Sequence, residues 1–210
     1  MSVVLITGGI GSGKSEVCRI LEDDYGIPCY NADSKVKELY VSHPRLLTDI
    51  ETSLGVSLRD ADGRFVPQLL ADRIFTCEDE LNIVEALVFP ALADDFETWK
   101  SVHDSSDVII ESATALEKES LADMYDKVVV VDAPFDVRLA RACARDGSTR
   151  DTVMQRMRSQ ILMNRISDGH IDDRIDYLLE NTSDKASLKL KVAEMIGRIL
   201  DNKKVIHNNN

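Results

Sequence analysis

Gly8-Gly9-Ile10-Gly11-Ser12-Gly13-Lys14-Ser15 matches the pattern G-x-x-x-x-G-K-S/T, and its spacing suits one kind of chemistry. Glycines at this density let successive backbone N–H groups turn inward and come close to phosphate oxygens. A helix that opens directly afterwards adds the partial positive charge of its N-terminus. In such a loop Lys14 reaches the outer phosphates of a nucleoside triphosphate, and the Ser15 hydroxyl is a ligand for magnesium. These eight residues, with Glu16 beside them, are the candidate nucleotide-binding set, and Ser15 is the candidate metal ligand.

A phosphate donor needs an acceptor side. Asn31-Ala32-Asp33 follows a second apolar run, and a carboxylate at Asp33 would take the proton of an attacking hydroxyl or orient it. Asp is also a favoured helix N-cap, and position alone leaves both readings open. Positive charge clusters in Arg138, Arg141, Arg145, Arg150, Arg156, Arg158 and Arg165. Arg138, Arg141 and Arg145 fall three and four apart, so they can share a helical face that stabilises charge on a transferring phosphoryl group. The alternative is pairing with surface carboxylates at about 0.2–0.5 kcal/mol each. Glu111 and Glu117 are further candidates, for positioning magnesium through water or for touching substrate. The four histidines show no ligand spacing.

The elements that must position these residues follow from periodicity. Val3 to Ile6, Ile27 to Tyr30, Val108 to Ile110, Lys127 to Asp132 and Tyr177 to Leu179 read as strands. Helical spacing covers Ser15 to Asp24, stopped by Gly26, then Ser34 to Leu54 with an interruption near Pro44, and Gln68 to Trp99. It returns in Phe135 to Arg145, Thr149 to Met163 and Ser183 to Leu200. Strands alternating with helices specify an α/β fold with a doubly wound, five-stranded parallel sheet. Ligands in such sheets lie at the carboxyl ends of the strands, so the loops after Ile6, Tyr30, Ile110 and Asp132 are expected to gather around one site. The expected organisation is a single domain over 1–205. Its core comprises 1–33, 104–136 and 170–200, with a helical insertion at about 34–103, an Arg-rich segment at about 137–169, and a disordered tail at 206–210.

Composition removes several alternatives. The net charge of -12 argues against sequence-independent binding of nucleic acid, which needs a basic face. Cys18, Cys29, Cys77 and Cys143 form no CxxC pair, which argues for reduced thiols over a zinc site or disulfide framework. No apolar run approaches the ~20 residues of a membrane span, and the apolar start lacks a basic leader, so a cytoplasmic protein is expected. The strand ending at Asp132 is followed by Ala133-Pro134-Phe135 and not by the N-K-x-D of a guanine reader, which favours a kinase over a GTPase.

Taken together, GGIGSGKS and Asn31-Ala32-Asp33 resemble the dephospho-coenzyme A kinase family. Arg73-Ile74-Phe75, Glu111 through Glu117, KVVVVDAP, Arg138 to Asp146, Arg156 to Gln160 and Asp176 to Asn181 run in the family's order, so the likeness extends to Leu200. The chain departs from the family at Asn31, where Asp is usual, at Phe89-Pro90 (usually His-Pro), at Val66-Pro67 (usually Asp-Arg), and at Thr114-Ala115-Leu116-Glu117 (usually Leu-Leu-Phe-Glu). The resemblance implies that ATP, with magnesium, phosphorylates the ribose 3′-hydroxyl of dephospho-CoA in the last step of coenzyme A synthesis. It also implies Asp33, Lys14 and Arg141 as catalytic residues, Arg145 as a further ATP contact, an insertion that holds the CoA substrate, and a lid over 137–169. Only small-molecule substrates are expected, on a monomer or weak homo-oligomer. The alternatives are another small-molecule or nucleotide kinase of this fold, or an ATP-binding switch protein.

Overall fold

Short runs of Val, Ile and Leu can bury both faces only in a sheet that is covered on both sides. A computed structural model, which describes residues 1–103, 106–147, 149–170 and 172–200, forms such a sheet from five parallel strands. They are β1 (Val3–Gly8), β2 (Cys29–Asn31), β3 (Val108–Glu111), β4 (Lys127–Asp132) and β5 (Tyr177–Glu180), in the order β2-β3-β1-β4-β5. The doubly wound α/β architecture is therefore the one expected from sequence. Strand order reverses at β1, so the glycine-rich loop after it leaves the sheet at the switch point where such folds bind ligands. Leu5 lies level with Ile110 and Val128, and Asn31 with Glu111. Pro28 precedes the edge strand β2, where its missing N–H removes no ladder bond.

The helices in chain order are α1 (Lys14–Tyr25), α2 (Ala32–Ser42), α3 (Leu46–Leu54), α4 (Pro67–Ile74), α5 (Glu78–Ser101), α6 (Phe135–Asp146), α7 (Arg150–Arg158), α8 (Ile161–Ser167) and α9 (Lys185–Ile199). The described residues group into two compact units. One comprises residues 1–31 with those from His103 onward, and the other is Ala32–Val102.

In the first unit, Val17, Ile20 and Leu21 of α1 and Leu188, Val192, Met195 and Ile196 of α9 pack with Val4, Ile6, Val129 and Val131 of the sheet. Gly26 ends α1 as expected, in the left-handed conformation, and its N–H reaches the Glu22 carbonyl at 3.0 Å. The helix expected over Thr149 to Met163 is instead two. Thr149 caps α7 by accepting from Thr152 N–H, and the chain turns extended at Gln160 before α8 begins. Where no element was expected, Ala115–Glu117 and Glu119–Met124 form 3₁₀ turns, with the Ser112 hydroxyl accepting from Ala115 N–H at 3.2 Å. The expected disordered tail, 206–210, lies outside the described residues.

In the second unit α5 is the spine, and α2, α3 and α4 each pack against it. Leu39, Leu47, Ile50, Val88, Leu92 and Phe96 are buried there. The run expected from Gln68 to Trp99 starts one residue earlier, with Pro67 as the first helical residue, and breaks after Ile74. Phe75, which matches the apolar spacing, falls at the cap of α4 and is 85% exposed. Between α3 and α4, Arg59 and Phe65 form an antiparallel bridge around the turn Asp60 to Gly63. Asp33 lies inside the first turn of α2, which begins at Ala32, and so it is not the residue that caps the helix from outside.

Candidate active site

Gly8 closes β1, and Lys14 opens α1, so the loop between them is fixed at both ends by regular structure. Gly13 adopts φ 100, and its carbonyl accepts from Glu16 N–H at 3.0 Å and Val17 N–H at 3.1 Å, starting the helix. A Cβ on Gly13 would collide with the Asn181 amide nitrogen, so both the backbone angle and a distant neighbour require glycine. The Lys14 ammonium donates to Gly8 O at 2.7 Å and Gly9 O at 3.3 Å, which holds its charge over the loop. Ser12 is buried, and its carbonyl accepts from Asn181 Nδ2 at 2.8 Å. Glu16, in the first turn of α1, is disfavoured as an anion by burial, but Arg19 and Lys185 hold its carboxyl below the usual range.

Sheet register joins the loop to β2 and β3. Ser15 Oγ donates to Glu111 Oε1 at 2.7 Å, and Asn31 Nδ2 donates to Glu111 Oε2 at 2.7 Å. Glu111 is only 6% exposed, so both carboxylate oxygens are satisfied by neutral donors. An aspartate at position 31 would set a second carboxylate against Glu111, whereas the amide of Asn31 supplies a donor. A hydroxyl backed by a carboxylate is an oxygen donor set that suits magnesium, which takes one or two protein ligands and completes its shell with phosphates and water. Glu117, considered with Glu111 from sequence, instead accepts from Leu162 N–H at 2.8 Å at the start of α8.

The three arginines on α6 have different surroundings. Arg138 is 4% exposed: Nε donates to Ala133 O at 3.0 Å, and Nη1 has no acceptor among the described residues. Its guanidinium lies so close behind the loop that a Cβ on Gly9 would collide with it. Burial lowers its pKa, with Asp132 working against that shift. Arg141 Nη1 donates to Asn181 O at 3.2 Å and reaches Ser12 O at 3.5 Å. Arg145 is exposed and turned to its neighbour Asp146, with Nε to Oδ1 at 2.6 Å. Arg150 and Arg156 make surface pairs with Asp136 and Asp146.

Gly13, Glu16, Arg141, Asn181 and Asp184 line a cavity of about 310 Å³ beside the loop. The tip of the loop is held by Gln160, whose Oε1 accepts from Ile10 N–H at 2.8 Å. Asn181 and Gln160 were not singled out from sequence. Asn181 had a signal: it follows a strand, and the rule that gathers strand-end loops around one site applies to β5 as it does to the others. Gln160 ends the segment Arg156 to Gln160 that carries the family resemblance, but its role depends on a helix break that periodicity does not show.

The dephospho-CoA kinase family model matches residues 2–186. A Porphyromonas gingivalis dephospho-CoA kinase is 41% identical over 76% of this chain and 78% of its own length. The chain belongs to the dephospho-CoA kinase family. A Bacteroides fragilis dephospho-CoA kinase is 32% identical over 86% of this chain and 84% of its own. Among solved structures, a Thermus thermophilus protein superposes with a TM-score of 0.80 at 24% identity, covering 95% of this chain and 98% of that one. The Campylobacter jejuni dephospho-CoA kinase gives 0.64 at 21% identity, over 94% and 96%. An Acinetobacter baumannii shikimate kinase gives 0.55 at 18%, covering 96% of each chain. These structural likenesses establish the P-loop kinase fold.

Proposed function

We propose that this chain transfers the γ-phosphoryl group of ATP directly to the ribose 3′-hydroxyl of dephospho-CoA, releasing ADP and coenzyme A. The observation that carries the reading is the joining of Lys14, Ser15 and Glu111 at one strand edge, in a chain whose family is dephospho-CoA kinase. The backbone of Gly8 to Ser15 binds the phosphates, and the cavity beside Gly13, Arg141 and Asn181 receives the rest of the nucleotide. Ser15, with Glu111 behind it, would hold magnesium, which when bound neutralises phosphate oxygens. Lys14 and Arg141 stabilise charge on the transferring group, with Arg145 a further ATP contact once α6 to α8 close as a lid. Asp33 accepts or orients the proton of the attacking hydroxyl. No phosphoenzyme is required.

The residues from Ala32 to Val102 hold the acceptor in this reading. The protein works in the cytoplasm as a monomer or weak homo-oligomer on small molecules, without nucleic acid. Among the described residues no helix is long and apolar enough to cross a membrane. The test is ADP release by purified protein with dephospho-CoA, set beside shikimate, gluconate and nucleoside monophosphates. Stimulation by dephospho-CoA alone is expected, and stimulation by another acceptor in its place would reassign the substrate.

Arg138 gives a second expected result. Its buried charge lies behind the phosphate loop, so Arg138→Met is expected to raise the KM for ATP roughly tenfold, about 1.4 kcal/mol of lost attraction. Removing the buried charge relieves its desolvation but takes the Arg138 donor from the Ala133 carbonyl, so the melting temperature is expected to change little. A lower melting temperature with unchanged KM would make Arg138 a packing residue only.

A further inference from the structure

We infer that Glu117 and Gln160 are positioning residues for the phosphate loop, coupled to each other through the start of α8; this rests on the assignment of ATP to that loop above. Gln160 is the N-cap residue of α8, with extended backbone at φ -81 and ψ 98. A polar side chain at an N-cap ordinarily turns back and accepts from the second or third backbone N–H of its own helix. Gln160 makes no such bond. Its Oε1 reaches away from the helix and accepts from Ile10 N–H at 2.8 Å.

The helix donor that Gln160 leaves is met from a remote segment. Leu162 is the second residue of α8, and its N–H donates at 2.8 Å to Oε1 of Glu117, 45 residues away in sequence. Glu117 therefore caps α8 in place of the helix's own N-cap side chain. A carboxylate suits that position, because a helix N-terminus carries partial positive charge. The carboxylate is also carried on a fixed element. It ends the 3₁₀ turn Ala115–Glu117, which packs against β1 and buries Ala115 and Leu116.

Packing secures the same junction. Met163, the next residue of α8, is buried, and a Cβ placed on Gly9 would come within 2.9 Å of its Cγ. Gly9 is thus covered by α8 through contact, and Ile10 is held from its N-cap by a hydrogen bond. Without the Glu117 carboxylate, Gln160 stands where an N-cap residue can accept from Leu162 N–H itself, and in doing so it releases Ile10. The two bonds compete for one amide oxygen, and Glu117 decides between them. A loop tip fixed in advance loses less freedom when nucleotide binds, so the coupling is read in nucleotide affinity.

The test is a double-mutant cycle followed by calorimetric binding of ADP and by the KM for ATP. Glu117 is exposed, so substitution there leaves the fold intact, as a melting curve would check. Glu117→Leu and Gln160→Leu are each expected to weaken ADP binding about tenfold, and the double variant also about tenfold. Glu117→Gln restores an acceptor oxygen and is expected to bring the affinity back to within about threefold of wild type. A loss of about a hundredfold in the double variant would show two independent contacts and overturn the coupling. A lowered melting temperature for Glu117→Leu with unchanged ADP affinity would make Glu117 a helix cap only. Binding of ADP needs no acceptor, so these outcomes stand apart from the assignment of dephospho-CoA. A wild-type protein that binds no ADP would overturn the ATP assignment itself.

Discussion

Asp33→Asn is expected to lower kcat with dephospho-CoA by about 10²–10⁴, the range of a positioned general base, while leaving the KM for ATP unchanged. The separation of the two effects follows from position. The nucleotide residues belong to the unit built on the sheet, and Asp33 to the first turn of α2 in the other. The carboxylate is exposed, so its replacement by the amide removes charge and proton affinity with little change in packing. The folding cost includes the favourable placement of an acid near a helix N-terminus, about 0.3–1 kcal/mol. The measurement is steady-state kinetics in both substrates together with a melting curve. A kcat near the wild-type value, with a slightly lowered melting temperature, would reduce Asp33 to a helix-stabilising residue.

Lys14→Met is expected to differ by raising the KM for ATP as well as lowering kcat by about 10²–10³, or about 2.7–4 kcal/mol, as for loss of one preorganised donor to a transition-state charge. The lysine is the first residue of α1, and its ammonium donates to the carbonyls of Gly8 and Gly9. It is thus held inside the loop proposed to bind the phosphates. Met keeps the length of the side chain and its helix propensity, so the start of α1 is preserved. Single-turnover transfer compared with calorimetric binding of ADP separates the charge from the fold. Transfer within about threefold of wild type would show that the loop backbone suffices without the lysine.

Much of this site is legible from sequence because its requirements are local. A phosphate loop needs glycines, lysine and serine at set intervals between a strand and a helix, and all of that lies within Val3–Tyr25. Stretches that must be buried on both faces announce the strands, and Gly26 announces the end of α1. Helix boundaries inside Gln68 to Trp99 and Thr149 to Met163 were not legible. There the apolar spacing continues across a break, and Phe75 matches the pattern although it is exposed.

By itself, then, the sequence determined the glycine-rich loop with its lysine and serine, its place between a strand and a helix, and the parallel sheet that carries it. Only the tertiary structure decided which distant groups complete it. Register between β2 and β3 sets Asn31 against Glu111, and the position of β5 sets Asn181 on Gly13. It also decided that Arg138, Arg141 and Arg145, at equivalent helical spacing, become a buried cation behind the loop, a loop contact and a surface pair. The physical reason is common to these cases. A local motif is a condition on neighbouring backbone torsions, which residue types disclose. A contact between remote segments is a condition on packing, which only the folded chain expresses.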